Sequence, residues 1–333
     1  MPVDVEVDPY QHDPLHWGAS MAHHIEVMLR LFEAVGARSV VEVGAYAGDL
    51  TRVLVRWAAQ TGGAVTAIDP APQPALVSLA DEHAGLELIR RTSLESLGEI
   101  ELPDVVIIDG DHNYYTVSEE LRLIASRTSD ARLPLLLFHD VSWPHARRDD
   151  YFDVEQIPAD YRQPLVGERA GIVPGDPGTR PDGLPYHKSA AHEGGPRNGV
   201  LTAVEDFAAG DDQLRLTVVP AFFGLGAVWH SQAPWAAAAA DILEPLDRDR
   251  LIAGLESNRV GHIAGEHQLR NEIWRLQERI QRQEVVLRRL LDSSAFAVAE
   301  RLSLIRIKAG VAPDQSVVSR EQIRGVLSDP RGR

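Results

Sequence analysis

The chain has no cysteine, which excludes disulfides, thiolate metal sites and cysteine nucleophiles. It has no apolar run near the ~20 residues a membrane span needs. The alanine-rich stretch around Ala236–Ala240 is too short. It has no excess of positive charge: 33 Lys+Arg stand against 49 Asp+Glu, a formal net charge of -16. Nucleic-acid backbones and anionic membrane surfaces are therefore poor partners. Residues 251–333 alone are mildly basic, with 14 basic against 10 acidic side chains, as a solvated helical surface would be. The acidic opening from Met1 to Asp8 lacks the basic and apolar regions of a signal peptide, so a soluble, cytoplasmic protein is expected.

What the chain does have is a glycine turn between a strand and a helix. Val40-Val-Glu-Val-Gly-Ala-Tyr-Ala-Gly-Asp-Leu-Thr51 runs from an apolar strand through Gly44 and Gly48 into a helix start. Such a turn lets backbone approach a ligand closely and aims free helix N–H groups at it. The G-x-x-x-G spacing differs from the G-x-G-x-x-G of dinucleotide binders and disfavours a nicotinamide dehydrogenase. It resembles the first motif of class I S-adenosylmethionine-dependent methyltransferases, E/D-x-G-x-x-x-G. The resemblance implies that Glu42, Gly44, Ala45, Tyr46 and Gly48 contact that cofactor.

Apolar residues at helical spacing predict a helix over Ser20–Ala34. Strand-like runs follow at Val40–Val43, Val65–Ile68, Leu86–Ile89, Val105–Ile108 and Leu133–Phe138, alternating with helical stretches Leu50–Ala59, Gln73–His83 and Val117–Ser126. Near-continuous apolar strands between amphipathic helices predict an α/β, doubly wound, mostly parallel sheet. A helix at Leu201–Ala209 and strands at Leu214–Val219 and Ala227–His230 match the end of the seven-stranded, Rossmann-like methyltransferase sheet, whose last strand inserts antiparallel. The expected division is a lead-in over 1–37, a cofactor-binding domain over 38–235 and a helical extension over 236–333. Within the domain, residues 142–199 break all periodicity and are rich in Pro, Gly, His, Arg and aromatics, more like a substrate lid than a linker. Apolar residues from Leu269 to Leu290 step by four and three, about three heptads within 266–292. Either a coiled coil, giving a homodimer or larger assembly, or a helix packed on its own domain fits that pattern. Ser319-Arg-Glu-Gln322 fits a capping box opening a last helix.

Asp69 ends the second strand, where an acid can accept hydrogen bonds from ribose hydroxyls or simply close a turn. Ser93, after the third strand, lies where methyltransferases contact adenine, and is equally an N-cap candidate. The sharpest signals are Ile108-Asp-Gly-Asp-His-Asn-Tyr114 and Phe138-His-Asp140, past the carboxyl ends of neighbouring strands and so facing one crevice. D-G-x-H-x-Y with H-D resembles a family containing metal-dependent O-methyltransferases of sugars and other natural-product hydroxyls. The family's Gly-Gly turn before the fifth strand reads Asp130-Ala-Arg-Leu-Pro134 here.

A hydroxyl is a poor nucleophile at neutral pH, and Mg²⁺ held by hard oxygen ligands stabilises the developing alkoxide. Asp109, Asp111 and Asp140 can supply two or three such ligands, with Asp109 also against the cofactor. His139 is either a ligand or the general base, and His112 is the other candidate base. The alternative for these groups is a structural role, fixing the loop and capping the strand. Trp143, Arg147, Arg148, His192, Arg197 and Asn198 are the expected substrate contacts, with the arginines gripping an anion or pairing with nearby acids. Together these predict an S-adenosylmethionine-dependent, Mg²⁺-assisted O-methyltransferase of a small sugar or natural-product acceptor. Two other readings stay open: an enzyme that binds the cofactor without transferring methyl, and a catalytically silent coiled-coil assembly protein.

Overall fold

A computed structural model describes residues 21–128, 132–311 and 318–328. The first part of the lead-in, Ser20 and part of the Asp130–Pro134 turn lie outside the described residues. Seven strands form one sheet in the order β3-β2-β1-β4-β5-β7-β6. They are β1 Ser39–Val43, β2 Ala64–Ile68, β3 Leu86–Ile89, β4 Val105–Ile108, β5 Leu135–Phe138, β6 Leu214–Val219 and β7 Leu225–His230. Strands β1 to β5 pair in parallel, and β7 runs antiparallel to both β5 and β6. The doubly wound sheet with a reversed last strand is the predicted one.

Strand alternation divides the core into two layers. Val105, Ile107, Leu135 and Leu137 face a layer shared with α1 Ile25–Val35 and α2 Asp49–Thr61. Their neighbours Val106, Ile108, Leu136 and Phe138 face α5 Tyr114–Ala125 and α6 Val200–Ala209, while α3 Pro74–Glu82 packs Leu76 and Leu79 in the first layer and α4 Ser93–Ser96 follows β3. Strands covered on both faces need side chains that are apolar at every position, which is why β4 and β5 read as unbroken apolar runs. Each fully buried Leu, Ile or Val there stabilises the fold by roughly 1.5–3 kcal/mol. The expected extension begins with α7 Ala236–Leu243, whose Ala236, Ala239 and Leu243 are buried in the α1 layer.

Between β5 and α6 the chain has no helix or strand longer than a 3₁₀ turn, only isolated bridges such as Asp150↔Ser189 and Ile172↔Leu184. A polar spine organises it instead. The Asp149 carboxylate accepts from the backbone N–H groups of Tyr114 (2.8 Å) and Gly199 (2.6 Å) and from the Tyr151 hydroxyl (2.9 Å). Burial nevertheless pushes the Asp149 carboxyl up to about 6, against those three bonds. The segment's apolar side packs Val166, Ile172 and Leu184 against Val260, Ile263 and Ala264 of α8 Arg250–Asp292.

The chain divides into two compact units, one running to Ala264 and the other beginning at Gly265. The second comprises the rest of α8, α9 Ser294–Lys308 and α10 Arg320–Ser328. The predicted capping box is present: Ser319 N–H donates to Gln322 Oε1 (2.8 Å) and Gln322 N–H donates to Ser319 Oγ (3.1 Å). Among the described residues no helix is long and apolar enough to cross a membrane.

Candidate active site

The carboxyl ends of β1, β2 and β4 open onto a cavity of about 880 Å³. That is ample for a nucleoside cofactor beside a small acceptor. Glu42, Gly44, Ala45, Tyr46, Asp69, Ser93 and Asp109, all expected around a cofactor, line it. Gly48 does not. It caps α2 at φ 85°, a left-handed backbone suited to glycine, with its Cα packed near Leu76. Gly44 has φ 86°, and a Cβ there would stand 2.1 Å from the Asp109 carbonyl oxygen. The two loops that carry the chemistry thus touch backbone to backbone, which is the physical demand behind the glycine.

Asp69 closes the turn and also lines the cavity. Its two carboxylate oxygens accept from Tyr46 N–H and Ala71 N–H, each at 2.7 Å, while the residue faces the cavity. Ser93 lines the cavity as the first residue of α4. The N-cap is Thr92, in a reciprocal capping box with Glu95. Glu42 is buried under the turn and accepts from the Thr51 hydroxyl at 2.6 Å. Burial pushes its carboxyl up to about 8, the Thr51 bond opposing, so it is protonated at neutral pH. With the folded value above the ordinary 4.5, its contribution to stability is complete below about pH 4.5 and is lost as pH rises through about 8. Glu42→Gln should remove that slope. Thermal midpoints from pH 5 to 9 should fall in the wild type relative to the variant, and parallel curves would refute the assignment.

The acids past β4 and β5 do converge, with one exchange. Ligand atoms of Asp109, His112 and Asp140 all lie within 4.8 Å of one another. Asp111, expected as a ligand, is not in that group. Its carboxylate accepts from the Thr116 hydroxyl (3.0 Å) and Phe152 N–H (2.8 Å), tying α5 to the following insertion. His112 stands in its place, stacked on His145 with ring centroids 5.5 Å apart and with Nδ1 3.2 Å from Asp140 Oδ2. Burial alone would lower the His112 pKa, but Asp140, Asp109 and Asp150 outweigh it and raise the value. Asp140 is held below the usual carboxylate range: burial works against this, and His112 and His139 overcome it.

His139, expected as base or ligand, has neither ring nitrogen free. Nε2 lies 2.9 Å from the Phe222 carbonyl, which can only accept. Nδ1 lies 3.1 Å from Asp109 and 3.3 Å from Asp140. Donation at both ends makes it a buried imidazolium, and the two acids raise its pKa well above the ordinary value although burial works to lower it. It is a fixed cation between two acids, and it does not line the cavity.

The residues expected as substrate contacts lie elsewhere. None of the six lines the cavity. Arg148 is fully buried and donates to the carbonyls of Ala190, Pro177 and Gly178. Asn198 accepts from Asp149 N–H and donates to His192 and Gly194 carbonyls. Arg147 pairs with Glu205 (2.7 Å), Arg197 lies over the Tyr161 ring, Trp143 packs against the apolar group of Ile172, Leu184 and Val260, and His192 is exposed. The insertion reaches the cavity through Phe152, Asp153, Gln156 and Ile157 instead, and His23 and Tyr115 add further wall.

Glu256 on α8 went unnoticed in the sequence, where a lone acid on a helix carries no signal. It accepts from the backbone N–H groups of Phe222 (3.0 Å) and Phe223 (2.8 Å) and from the Arg259 guanidinium. Both phenylalanines have left-handed backbone, φ 47° and 68°, which side-chain-bearing residues adopt at a cost. Glu256 therefore holds the strained turn whose Phe222 carbonyl holds His139. Glu256→Ala should cost about 3–5 kcal/mol by leaving buried donors unpaired. Glu256→Gln should recover part of this in chemical denaturation, and an Ala variant as stable as wild type would contradict the role.

A family model described as a methyltransferase domain matches residues 41–141. No curated protein matches the chain. Among solved structures, the chain is similar to a Podospora anserina methyltransferase bound to S-adenosylhomocysteine, with 14% identity over 66% of this chain and 88% of that one, at a TM-score of 0.36. A Burkholderia thailandensis 1,6-didemethyltoxoflavin N1-methyltransferase matches at 12% identity over 68% and 92%, TM-score 0.33. The O-methyltransferase NcsB1 of neocarzinostatin biosynthesis matches at 13% over 64% and 56%, TM-score 0.36. With the glycine turn, the cavity at the strand ends and the reversed last strand around the matched segment, this chain carries a class I, S-adenosylmethionine-dependent methyltransferase domain.

Proposed function

We propose that the protein is an O-methyltransferase that uses a divalent cation, Mg²⁺ in the first instance, to methylate a hydroxyl of a small sugar or other natural-product acceptor. The observation that carries this is that Gly44, Tyr46 and Asp69 share a cavity with Asp109 and His112, behind which Asp140 completes a three-ligand cluster. Two carboxylates and an imidazole suit a divalent cation and leave positions for an acceptor oxygen. The imidazole widens the choice beyond Mg²⁺ to Mn²⁺ and similar ions. When bound, such an ion stabilises an alkoxide that water alone would not.

The chain's own groups do the rest. The glycine turn and Asp69 fix the cofactor, and Phe152 and Ile157 from the insertion limit water. His139 balances the charge of Asp109 and Asp140 and fixes their orientation. The acceptor O–H passes its proton to solvent water, and its oxygen bonds to the methyl carbon. The carbon–sulfur bond breaks with its electron pair going to sulfur, leaving S-adenosylhomocysteine. Holding oxygen and methyl in line at contact distance supplies much of the acceleration. In this reading the partners are a small hydroxyl-bearing acceptor and a second copy of the chain.

Radiolabelled S-adenosylmethionine, tested with a panel of sugars and phenols in the presence of Mg²⁺ or Mn²⁺, separates the possibilities. Label in an ether oxygen's methyl group supports the assignment. Cofactor binding without S-adenosylhomocysteine release on any acceptor favours an enzyme doing a different step on the same scaffold.

A further inference from the structure

Between Leu269 and Leu290, α8 carries an apolar stripe that the described residues leave mostly exposed, with Leu287 half-buried. Leu269 is 62% exposed, Ile273 54%, Leu276 47%, and Ile280 and Leu290 40% each. The steps of four and three give a heptad register with Ile273, Ile280 and Leu287 at a, and Leu269, Leu276, Gln283 and Leu290 at d. The stripe is continuous in one unbroken helix and runs about 33 Å at ~1.5 Å per residue. Pairs Glu266–Arg270, Glu278–Arg282 and Glu284–Arg288 lie on the remaining surface, which also exposes Trp274 and Val285.

We infer that this stripe is the seam of a parallel, in-register, two-stranded coiled coil with a second copy of the chain. Isoleucine at a with leucine at d is the combination that two parallel strands pack best. The flanking positions agree. Arg279 falls at g and Glu284 at the following e, so parallel pairing sets each copy's arginine against the other's glutamate. Val286 at g, 57% exposed, extends the apolar seam in the same sense. Antiparallel pairing sets g against g and e against e and loses the Arg279–Glu284 match. Gln283, the one polar residue in the seam, meets its own copy only when the two helices are in register, so it penalises slipped pairings. The pairing goes beyond the catalytic assignment and stands or falls separately from it.

The absence of cysteine makes the test direct. Leu269→Cys and Leu290→Cys, made singly in the full chain, place one thiol near each end of the seam at an exposed position. Parallel, in-register pairing brings each thiol to its own copy, so each variant should form a covalent dimer under mild oxidation. The wild type should sediment at twice the single-chain mass, and Ile273→Arg with Ile280→Arg should return it to one. Single-chain mass at micromolar concentration, a trimer or tetramer, or cross-linking only in a mixture of the two cysteine variants would each overturn the inference.

Discussion

Asp140→Asn should reduce methyl transfer by about a hundredfold or more while leaving S-adenosylmethionine affinity within about twofold. Asparagine suits the position because Asp140 has left-handed backbone, φ 57°, which Asn tolerates well. The fold should therefore survive. The change removes a charge that faces His112 and His139 and belongs to the cluster with Asp109. Cofactor affinity should hold because Asp140 is buried behind the cavity wall and does not line it. A cation site reduced to one carboxylate and one imidazole should bind Mn²⁺ weakly, readable by paramagnetic titration without any acceptor. Undiminished turnover and Mn²⁺ affinity would remove Asp140 from the mechanism and leave the cluster a structural ion network.

Gly44→Ala should be the most damaging small substitution in the domain. The left-handed backbone alone costs an alanine roughly 1–2 kcal/mol. The added carbon would also meet the Asp109 carbonyl at 2.1 Å and the Gly110 Cα at 2.5 Å, backbone atoms that cannot swing aside. Overpacking of that kind typically costs about 1–3 kcal/mol more. Gly36→Ala separates the two effects: that glycine also has a left-handed backbone, φ 69°, but nothing lies within 4 Å of its Cβ position. Denaturation should show Gly44→Ala losing more stability than Gly36→Ala, and only the former should lose cofactor binding. Equal losses in both would mean that the close approach of the two loops is unimportant.

These two sites also show what was legible in the sequence. Gly44, Asp69 and Asp109 were readable because a doubly wound sheet brings the carboxyl ends of adjacent parallel strands to one crevice, whatever the loops do. The unbroken apolar runs of β4 and β5 announced strands covered on both faces. The choice between Asp111 and His112 was not readable, since neighbouring loop residues point different ways and nothing local says which. The role of His139 depends on the Phe222 carbonyl, which arrives from a turn between β6 and β7 that in turn rests on Glu256 of α8. The six residues expected as substrate contacts lie away from the cavity for a related reason. In a segment without periodicity, polar side chains replace strand and helix ladders as internal support, so Arg148 and Asn198 are spent on backbone carbonyls and amides. Abundance of such residues in an irregular segment is as consistent with holding the loop as with holding a ligand.

On this reading the cavity behind Gly44 and Asp69 holds S-adenosylmethionine. Calorimetric titration of the chelator-treated protein with S-adenosylmethionine, repeated with Mg²⁺ and with Asp69→Ala, tests it most directly. The wild type should show saturable binding, one cofactor per chain, which Asp69→Ala should lose while remaining folded. No heat of binding in the wild type, with or without Mg²⁺, would contradict it.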